Sequence, residues 1–375
     1  MLFNVCALYI KIMNNENQTI HKSDDNLTIY GWNEKLNQLK QESIYSALAH
    51  GRVSIVHRTC YEVISGNGLF QCELTGNMMY GKSDDELPCT GDWVIFQPFD
   101  EHKGIIVDRL PRERTLYRKK SGTVADKQAI ASYVDKAFIV QSLDDNFNVR
   151  RVERFMVQIM EENISSVLVL NKADLDFDRQ SVEEQIKHIS SQIPVFFTSI
   201  HQLETIVRLR KSISEGETVV FVGSSGVGKS SLVNALCEKS VLLTSDISLS
   251  TGKGRHTSTR REMVLMDSSG VLIDTPGVRE FGLAIDNPDS LAEVLEISDY
   301  AELCRFKDCK HINEPGCAVI EAVNSGALDS KVYASYLKLR REAWHFSASE
   351  HEKRKKEKSF TKLVEEVKNR KDASR

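Results

Sequence analysis

The run Gly223-Ser224-Ser225-Gly226-Val227-Gly228-Lys229-Ser230-Ser231 follows the apolar run Thr218-Val219-Val220-Phe221-Val222 and opens a segment with an apolar face, 229–237. A glycine-rich turn between a strand and a helix lets backbone N–H groups curl around a phosphate, and the helix N-terminus adds its positive dipole there. In that setting Lys229 reaches β- and γ-phosphates and the Ser230 hydroxyl coordinates Mg²⁺. A glycine turn of purely structural use is disfavoured by the strand before it and the helix after it. Further along, Asp274-Thr275-Pro276-Gly277 closes Val271-Leu272-Ile273. An acid at the carboxyl end of a strand beside a phosphate loop can hold Mg²⁺, usually through water. The Gly277 amide can contact a γ-phosphate and sense its loss. Between the two lies Ser250-Thr251-Gly252-Lys253-Gly254-Arg255-His256-Thr257-Ser258-Thr259. A polar, glycine-containing loop suits a segment that orders around γ-phosphate and Mg²⁺, with Thr257 as the second hydroxyl ligand.

Phosphates do not distinguish ATP from GTP. Asn171-Lys172-Ala173-Asp174, after the strand-like Val167-Leu168-Val169-Leu170, does. The Asp174 carboxylate can accept from both N1–H and the exocyclic amine of guanine. Adenine offers no such donor pair and would leave a buried carboxylate unpaired. Asn171 is expected to brace the loop, the Lys172 stem to cover the base, and Thr198-Ser199-Ile200 to offer a backbone N–H to guanine O6. The base motif precedes the phosphate loop, whereas ordinary small GTPases have the opposite order. In a doubly wound sheet the contacts converge at the carboxyl ends of the strands whatever the chain order, and permutation is tolerated where domain termini lie close together. A third constellation, Cys304, Cys309, His311 and Cys317, supplies three thiolates and an imidazole. That set suits a closed, structural, tetrahedral zinc site.

The elements that must position these residues form three blocks. From 51 to 110 the chain shows five short β-branched or alternating runs, a count that suits a small barrel such as an OB-fold. From about 136, strands alternate with helices, which implies a mostly parallel sheet covered on both faces. One of those helices is expected over 182–189. Beyond 284 the pattern is helical apart from the cysteine cluster. The first 40 or so residues read as polar and irregular. The divisions expected are an extension over 1–45, a barrel over 46–111, a nucleotide-binding domain over 112–283 and a helical metal-binding domain over 284–375.

The chain has 375 residues, 41% hydrophobic and 27% charged, with net charge −4. This is globular composition with room for two or three domains, and not that of a disordered chain. No apolar stretch is long enough for a transmembrane helix. The start, 1–11, is apolar but lacks a basic leader and a small-residue cleavage site, so no secretory signal is expected, and Met13 is an alternative start. Scattered cysteines beside one cluster suggest a reducing, cytoplasmic compartment. Two basic stretches, 109–120 and 353–358, can bind phosphate backbones or serve as solvated faces.

Together these motifs resemble the RsgA (YjeQ/YloQ) family of circularly permuted GTPases dependent on the small ribosomal subunit. The likeness also covers Gly91-Asp92-Trp93-Val94, Leu110-Pro111-Arg112, Gly254-Arg255-His256-Thr257 and Val278-Arg279-Glu280-Phe281, and the zinc spacing. The resemblance implies an N-terminal OB-fold, a central permuted P-loop GTPase and a C-terminal zinc domain. It also implies GTP hydrolysis stimulated by the small subunit during its late maturation. The expected partners are that subunit, its rRNA and GTP or GDP, with no membrane, and the chain is expected to be a monomer. Tyr133 stands where the family usually has asparagine, and Ser258 where it usually has threonine.

Small GTPases often carry a water-orienting glutamine after their Asp-x-x-Gly motif, a position held here by Val278. His256 is the candidate to orient water, since a neutral imidazole can accept a hydrogen bond near neutral pH. Contact with RNA, or a packing role, is the rival assignment. Two other functional classes compete: an RNA-binding assembly factor in which nucleotide only locks a shape, and a metabolic P-loop ATPase, against which Asp174 argues.

Overall fold

The computed structural model describes residues 27–79, 83, 85–119, 127–238, 261–267, 270–275 and 289–347. Residues 250–259, which include His256 and Thr257, lie outside them, as do Gly277, the terminal basic stretch and Met13.

Five strands make the first body: β1 (Ala49–Val56), β2 (Tyr61–Ser65), β3 (Gly68–Leu74), β4 (Trp93–Asp100) and β5 (Lys103–Arg109). β1–β2, β2–β3 and β4–β5 pair antiparallel, β3–β5 pair parallel, and β4 returns to β1. The order 1-2-3-5-4-1 closes a five-stranded barrel, as the OB-fold expectation required. Side chains alternate in and out along β2, the pattern of strands with one face on a core. Val53, Val63, Phe70, Cys72, Phe96 and Ile106 fill that core.

The irregular reading of the first 40 residues is corrected over 27–45. Helix α1 (Glu34–Glu42) is capped by Asn33, whose side chain accepts from Leu36 N at 3.1 Å. Leu27, Trp32 and Leu36 are buried against Trp93, Ile95, Leu110 and Tyr133. The sequence hides this helix because its apolar contacts come from a few residues amid polar ones, and the partner surface is distant in the chain. The basic run 109–120 is likewise structural in good part. Arg112 grips the fully buried Asp92 at 2.7 Å, and Arg114 pairs with Asp135 at 2.9 Å. The run then enters a hairpin unforeseen from sequence, β6 (Leu116–Lys119) with β7 (Lys127–Ala131).

The second body is built on β8 (Lys136–Ser142), β9 (Ser165–Asn171), β10 (Val195–Thr198), β11 (Thr218–Val222), β12 (Glu262–Leu265) and β13 (Val271–Asp274). They lie in the order β10-β9-β8-β11-β13-β12, parallel throughout except for β12. β11 and β13 are buried along their length, as strands covered on both faces must be. Phe138, Val140, Val219 and Phe221 face one core and Ala137, Ile139, Val220 and Val222 the other. Helix α2 (Val149–Glu161) places Val152, Phe155, Met156 and Ile159 on one buried stripe. The helix expected over 182–189 is divided at Ile186 (φ −98°, ψ 7°) into α3 (Arg179–Gln185) and α4 (Lys187–Ser190). Helices α5 (Leu203–Arg210) and α6 (Lys229–Cys237) cover the opposite face.

The two bodies share one sheet, because β1 pairs with β12 at Ile55↔Glu262. Arg52 is the joint beside that seam. Its buried guanidinium donates to Gly91 O (3.0 Å), Thr218 Oγ1 (3.0 Å), Tyr133 O (3.3 Å) and Tyr30 O. Burial lowers its pKa to about 10. Tyr133 adopts φ +52°, left-handed backbone that asparagine tolerates far better than a bulky aromatic residue. Here the phenol is buried and donates to Pro111 O.

The C-terminal helices among the described residues are α7 (Asp289–Val294), α8 (Ser298–Ala301), α9 (Ala318–Ser325) and α10 (Ser330–Ser347). Leu291, Val294, Ile297, Val319 and Leu339 belong to the same apolar cluster as α2 and the sheet. The C-terminal block is thus packed into the core rather than tethered beside it. A polar contact seals the packing: Glu153 accepts from Ser335 Oγ and meets His188 Nε2 at 3.0 Å.

Candidate nucleotide site and metal cluster

β11 runs parallel to both β8 and β13 and delivers the glycine-rich turn to the carboxyl edge of the sheet, where ligands of such sheets sit. Gly223 and Gly228 cannot be replaced without distortion. A Cβ at Gly223 would stand 2.3 Å from Val140 O, and one at Gly228 would stand 2.4 Å from Asn171 Nδ2. Both also hold positive φ, +151° and +94°. Lys229 opens α6 and is 6% exposed. Its ammonium donates to Gly223 O and Ser224 O, each at 2.9 Å. Burial lowers its pKa to about 8, against a smaller opposing pull from Asp274.

Asp274 ends β13 with 3% exposure and accepts from Ser230 Oγ at 2.7 Å through Oδ2. Its Oδ1 is buried with no hydrogen-bond partner. Burial raises its pKa, and the Ser230 bond and Lys229 partly offset that. A buried carboxylate oxygen without a partner, beside a hydroxyl on its sister oxygen, is the donor set that a hard cation takes. Thr275 Oγ1 donates to Phe221 O at 2.6 Å and locks the turn onto β11. Ser225, Gly226 and Val227 complete the loop, with Val227 buried, and Ser231 lies in the first turn of α6.

The base motif comes off β9, two strands away. Asn171 binds the two sites together: its Nδ2 donates to Val227 O at 2.9 Å, and its Oδ1 accepts from Thr198 Oγ1 at 3.2 Å. The bracing expected from sequence therefore runs from the base motif into the phosphate loop. Lys172 takes φ +61° and its ammonium meets Asp144 Oδ2 at 2.9 Å. Ala173 N donates to Thr198 O at 3.0 Å. Asp174 accepts from Ser199 Oγ, and that bond is the main reason its pKa is lowered. The carboxylate expected to be buried is exposed. The Ser199 N–H is donated to Thr205 Oγ1 at 3.0 Å. Asp144, which no motif marked, joins the site through Lys172. The contact joins the segments that follow β8 and β9, so no local spacing could have revealed it.

Cys304, Cys309, His311 and Cys317 converge, with their ligand atoms all within 4.8 Å of one another, and could hold a metal ion. His311 Nδ1 lies 3.5 Å from both Cys304 Sγ and Cys317 Sγ, and those two sulfurs are 3.9 Å apart. Tyr333 on α10 donates to His311 O at 2.6 Å and fixes the loop from outside. Among the described residues no helix is long and apolar enough to cross a membrane.

The RsgA GTPase family model matches residues 109–284. An ABC transporter model matches 206–369, a span that contains the phosphate loop and excludes the base motif. Small ribosomal subunit biogenesis GTPase RsgA 1 of Bacteroides thetaiotaomicron is 76% identical over 359 residues, covering 96% of this chain and 99% of that protein. The RsgA of Methanosarcina acetivorans is 38% identical over 338 residues, covering 87% and 89%. Among solved structures, YjeQ from Thermotoga maritima aligns at TM-score 0.58 with 26% identity, covering 79% of this chain and 98% of that one. YloQ, described as a circularly permuted GTPase, shares the fold at TM-score 0.58 and 21% identity, covering 80% and 97%. The order of motifs, the closed barrel ahead of them and this near-full-length identity agree: the chain belongs to the RsgA GTPase family.

Proposed function

We propose that this protein hydrolyses GTP to GDP and phosphate in the late maturation of the small ribosomal subunit, docking on the subunit and its rRNA as a cytoplasmic monomer. The observation that carries the reading is the Asn171–Val227 bond, which couples a guanine-type motif to a phosphate loop across the sheet in permuted order. The names of the relatives support the ribosomal setting. The working division is a barrel over 46–111, a GTPase domain over 112–283 and a metal-binding domain over 284–375, preceded by the extension.

In this reading the backbone N–H groups of 223–228 and the α6 N-terminus receive the β-phosphate. Lys229 exchanges its two carbonyl acceptors for β- and γ-phosphate oxygens. Ser230, Asp274 and Thr257 would hold Mg²⁺, which supplies neutralisation of phosphate charge. Asp174 accepts from guanine N1–H and N2–H, Lys172 covers the base, and Ser199 completes the rim. Water forms the new bond to the γ-phosphorus while the bond from that phosphorus to the β–γ bridging oxygen breaks, and the water proton passes to the phosphate released. His256 orients that water. Gly277 senses loss of the γ-phosphate. Residues 276–288 lead into α7, which packs on α2, so that loss repositions the C-terminal block and lowers subunit affinity.

The four-residue cluster fits zinc. Tetrahedral bonds of about 2.3 Å to sulfur and about 2.05 Å to nitrogen give S–S edges near 3.8 Å and S–N edges near 3.5 Å. Among Cys304, His311 and Cys317 the separations are 3.9 Å and 3.5 Å, and with Cys309 all four ligand atoms lie within 4.8 Å of one another. Four protein ligands leave no open position, so the metal is structural. One zinc per chain in elemental analysis, lost in Cys309→Ser, is the expected result.

The deciding experiment is GTP and ATP hydrolysis with and without small ribosomal subunits. GTP-selective turnover that rises strongly with subunits, and falls to the unstimulated rate in His256→Ala, is the expected outcome. Nucleotide binding without stimulation would reduce the protein to an assembly factor that uses nucleotide as a conformational lock.

A further inference from the structure

We infer that Asp144 is a positioning residue for the guanine site, acting through Lys172; this rests on the reading of residues 171–174 as the base motif. Asp144 lies just beyond β8, whose last residue, Ser142, is in register with Asn171. Leu143 N donates to Asn171 O at 2.9 Å and stitches the two strand ends together. The Asp144 carboxylate is fixed before it meets the lysine: Oδ1 accepts from Ser142 Oγ at 2.7 Å and from Asn146 N at 3.0 Å. Its other oxygen, Oδ2, takes the Lys172 ammonium at 2.9 Å.

Lys172 leaves the chain from left-handed backbone, φ +61°. Its side chain thus leaves an unusual backbone at one end and is tied by Asp144 at the other, so the methylene stem is held at both ends. A free lysine stem loses rotamer freedom when it packs on a ligand, whereas a tethered one has already lost most of it. The side chains of the pair are 31% and 35% exposed, and half-exposed ion pairs contribute little to folding stability. The effect of Asp144 therefore falls on nucleotide affinity rather than on the fold.

The test is a double-mutant cycle on the full chain, reading Kd for a fluorescent GDP analogue in Asp144→Ala, Lys172→Met and the double variant. Each single change weakens binding about two- to tenfold, the value of one immobilised flexible side chain. The double variant binds no worse than Lys172→Met alone. Asp144→Asn, which keeps the size and the local hydrogen bonding, falls between wild type and Asp144→Ala, with all variants melting near the wild-type temperature. An unchanged Kd in Asp144→Ala, or two losses that multiply in the double variant, would overturn the inference. Failure of the underlying base-site reading shows separately, as Asp174→Asn retaining full preference for GDP over xanthosine diphosphate.

Discussion

On the phosphate side of the site, Lys229 and Asp274 are 6% and 3% exposed and already hold protein partners. On the base side, Asp174 is exposed and Lys172 half-exposed, and each leans on a neighbouring side chain. Lys229 and Asp274 have been stripped of water by the sheet core, so a ligand there would meet ionic groups in low dielectric, where each bond is strong. The base groups remain wet, and a base must bury them itself, which rewards only a base that pairs every donor and acceptor. On the proposed function, the phosphate side supplies affinity for any nucleoside polyphosphate, and the base side supplies the choice among bases.

Gly228→Ala would break the comparison most severely, because the two sides touch there. Its Cβ would fall 2.4 Å from Asn171 Nδ2, at a φ of +94°. Nucleotide affinity is expected to fall by more than about 100-fold for guanine and adenine nucleotides alike, together with a lower melting temperature. Lys229→Ala tests the affinity side alone. Losing two charge-assisted bonds costs about 3 kcal/mol, roughly 100-fold in Kd for a non-hydrolysable GTP analogue, with the preference for guanine unchanged. A change in that preference would erase the distinction between the two sides.

The smallest effect is a pH dependence. With only protein groups around it, Lys229 has its pKa lowered to about 8, and bound phosphates raise it again by favouring the charged form. Binding therefore takes up a proton above that pH, so affinity falls as pH rises and is flat below about 7. Titration calorimetry should show Kd for GDP rising about fourfold between pH 7 and 8.5. In Lys229→Ala this rise should vanish.

The phosphate loop and the metal cluster were legible because their residues lie close together in the sequence and their chemistry fixes their spacing. Lys229 donates to carbonyls only five and six residues away. The barrel was legible as a count of short strands, though not its closure, which depends on β4 finding β1. Contacts between remote segments stayed hidden. Asp144–Lys172, Arg52–Thr218 and Arg112–Asp92 each join residues that no periodicity relates. Helix α1 stayed hidden because Trp32 and Leu36 gain their burial from residues distant in the chain, Trp93, Ile95, Leu110 and Tyr133. The exposure of Asp174 was also beyond reach, since a motif states which atoms meet a base but not whether the site is dry before it arrives.

The most direct test is the base preference of Asp174→Asn, measured as Kd for GDP, ADP and xanthosine diphosphate beside wild type. An amide in place of the carboxylate can donate to the extra oxygen of xanthine and no longer accepts from both guanine donors. The account predicts that wild type selects GDP, that the variant exchanges this for xanthosine diphosphate, and that the two proteins bind their preferred ligands with similar strength because the phosphate side is intact. A variant that still selects GDP would contradict it and remove Asp174 from the base site.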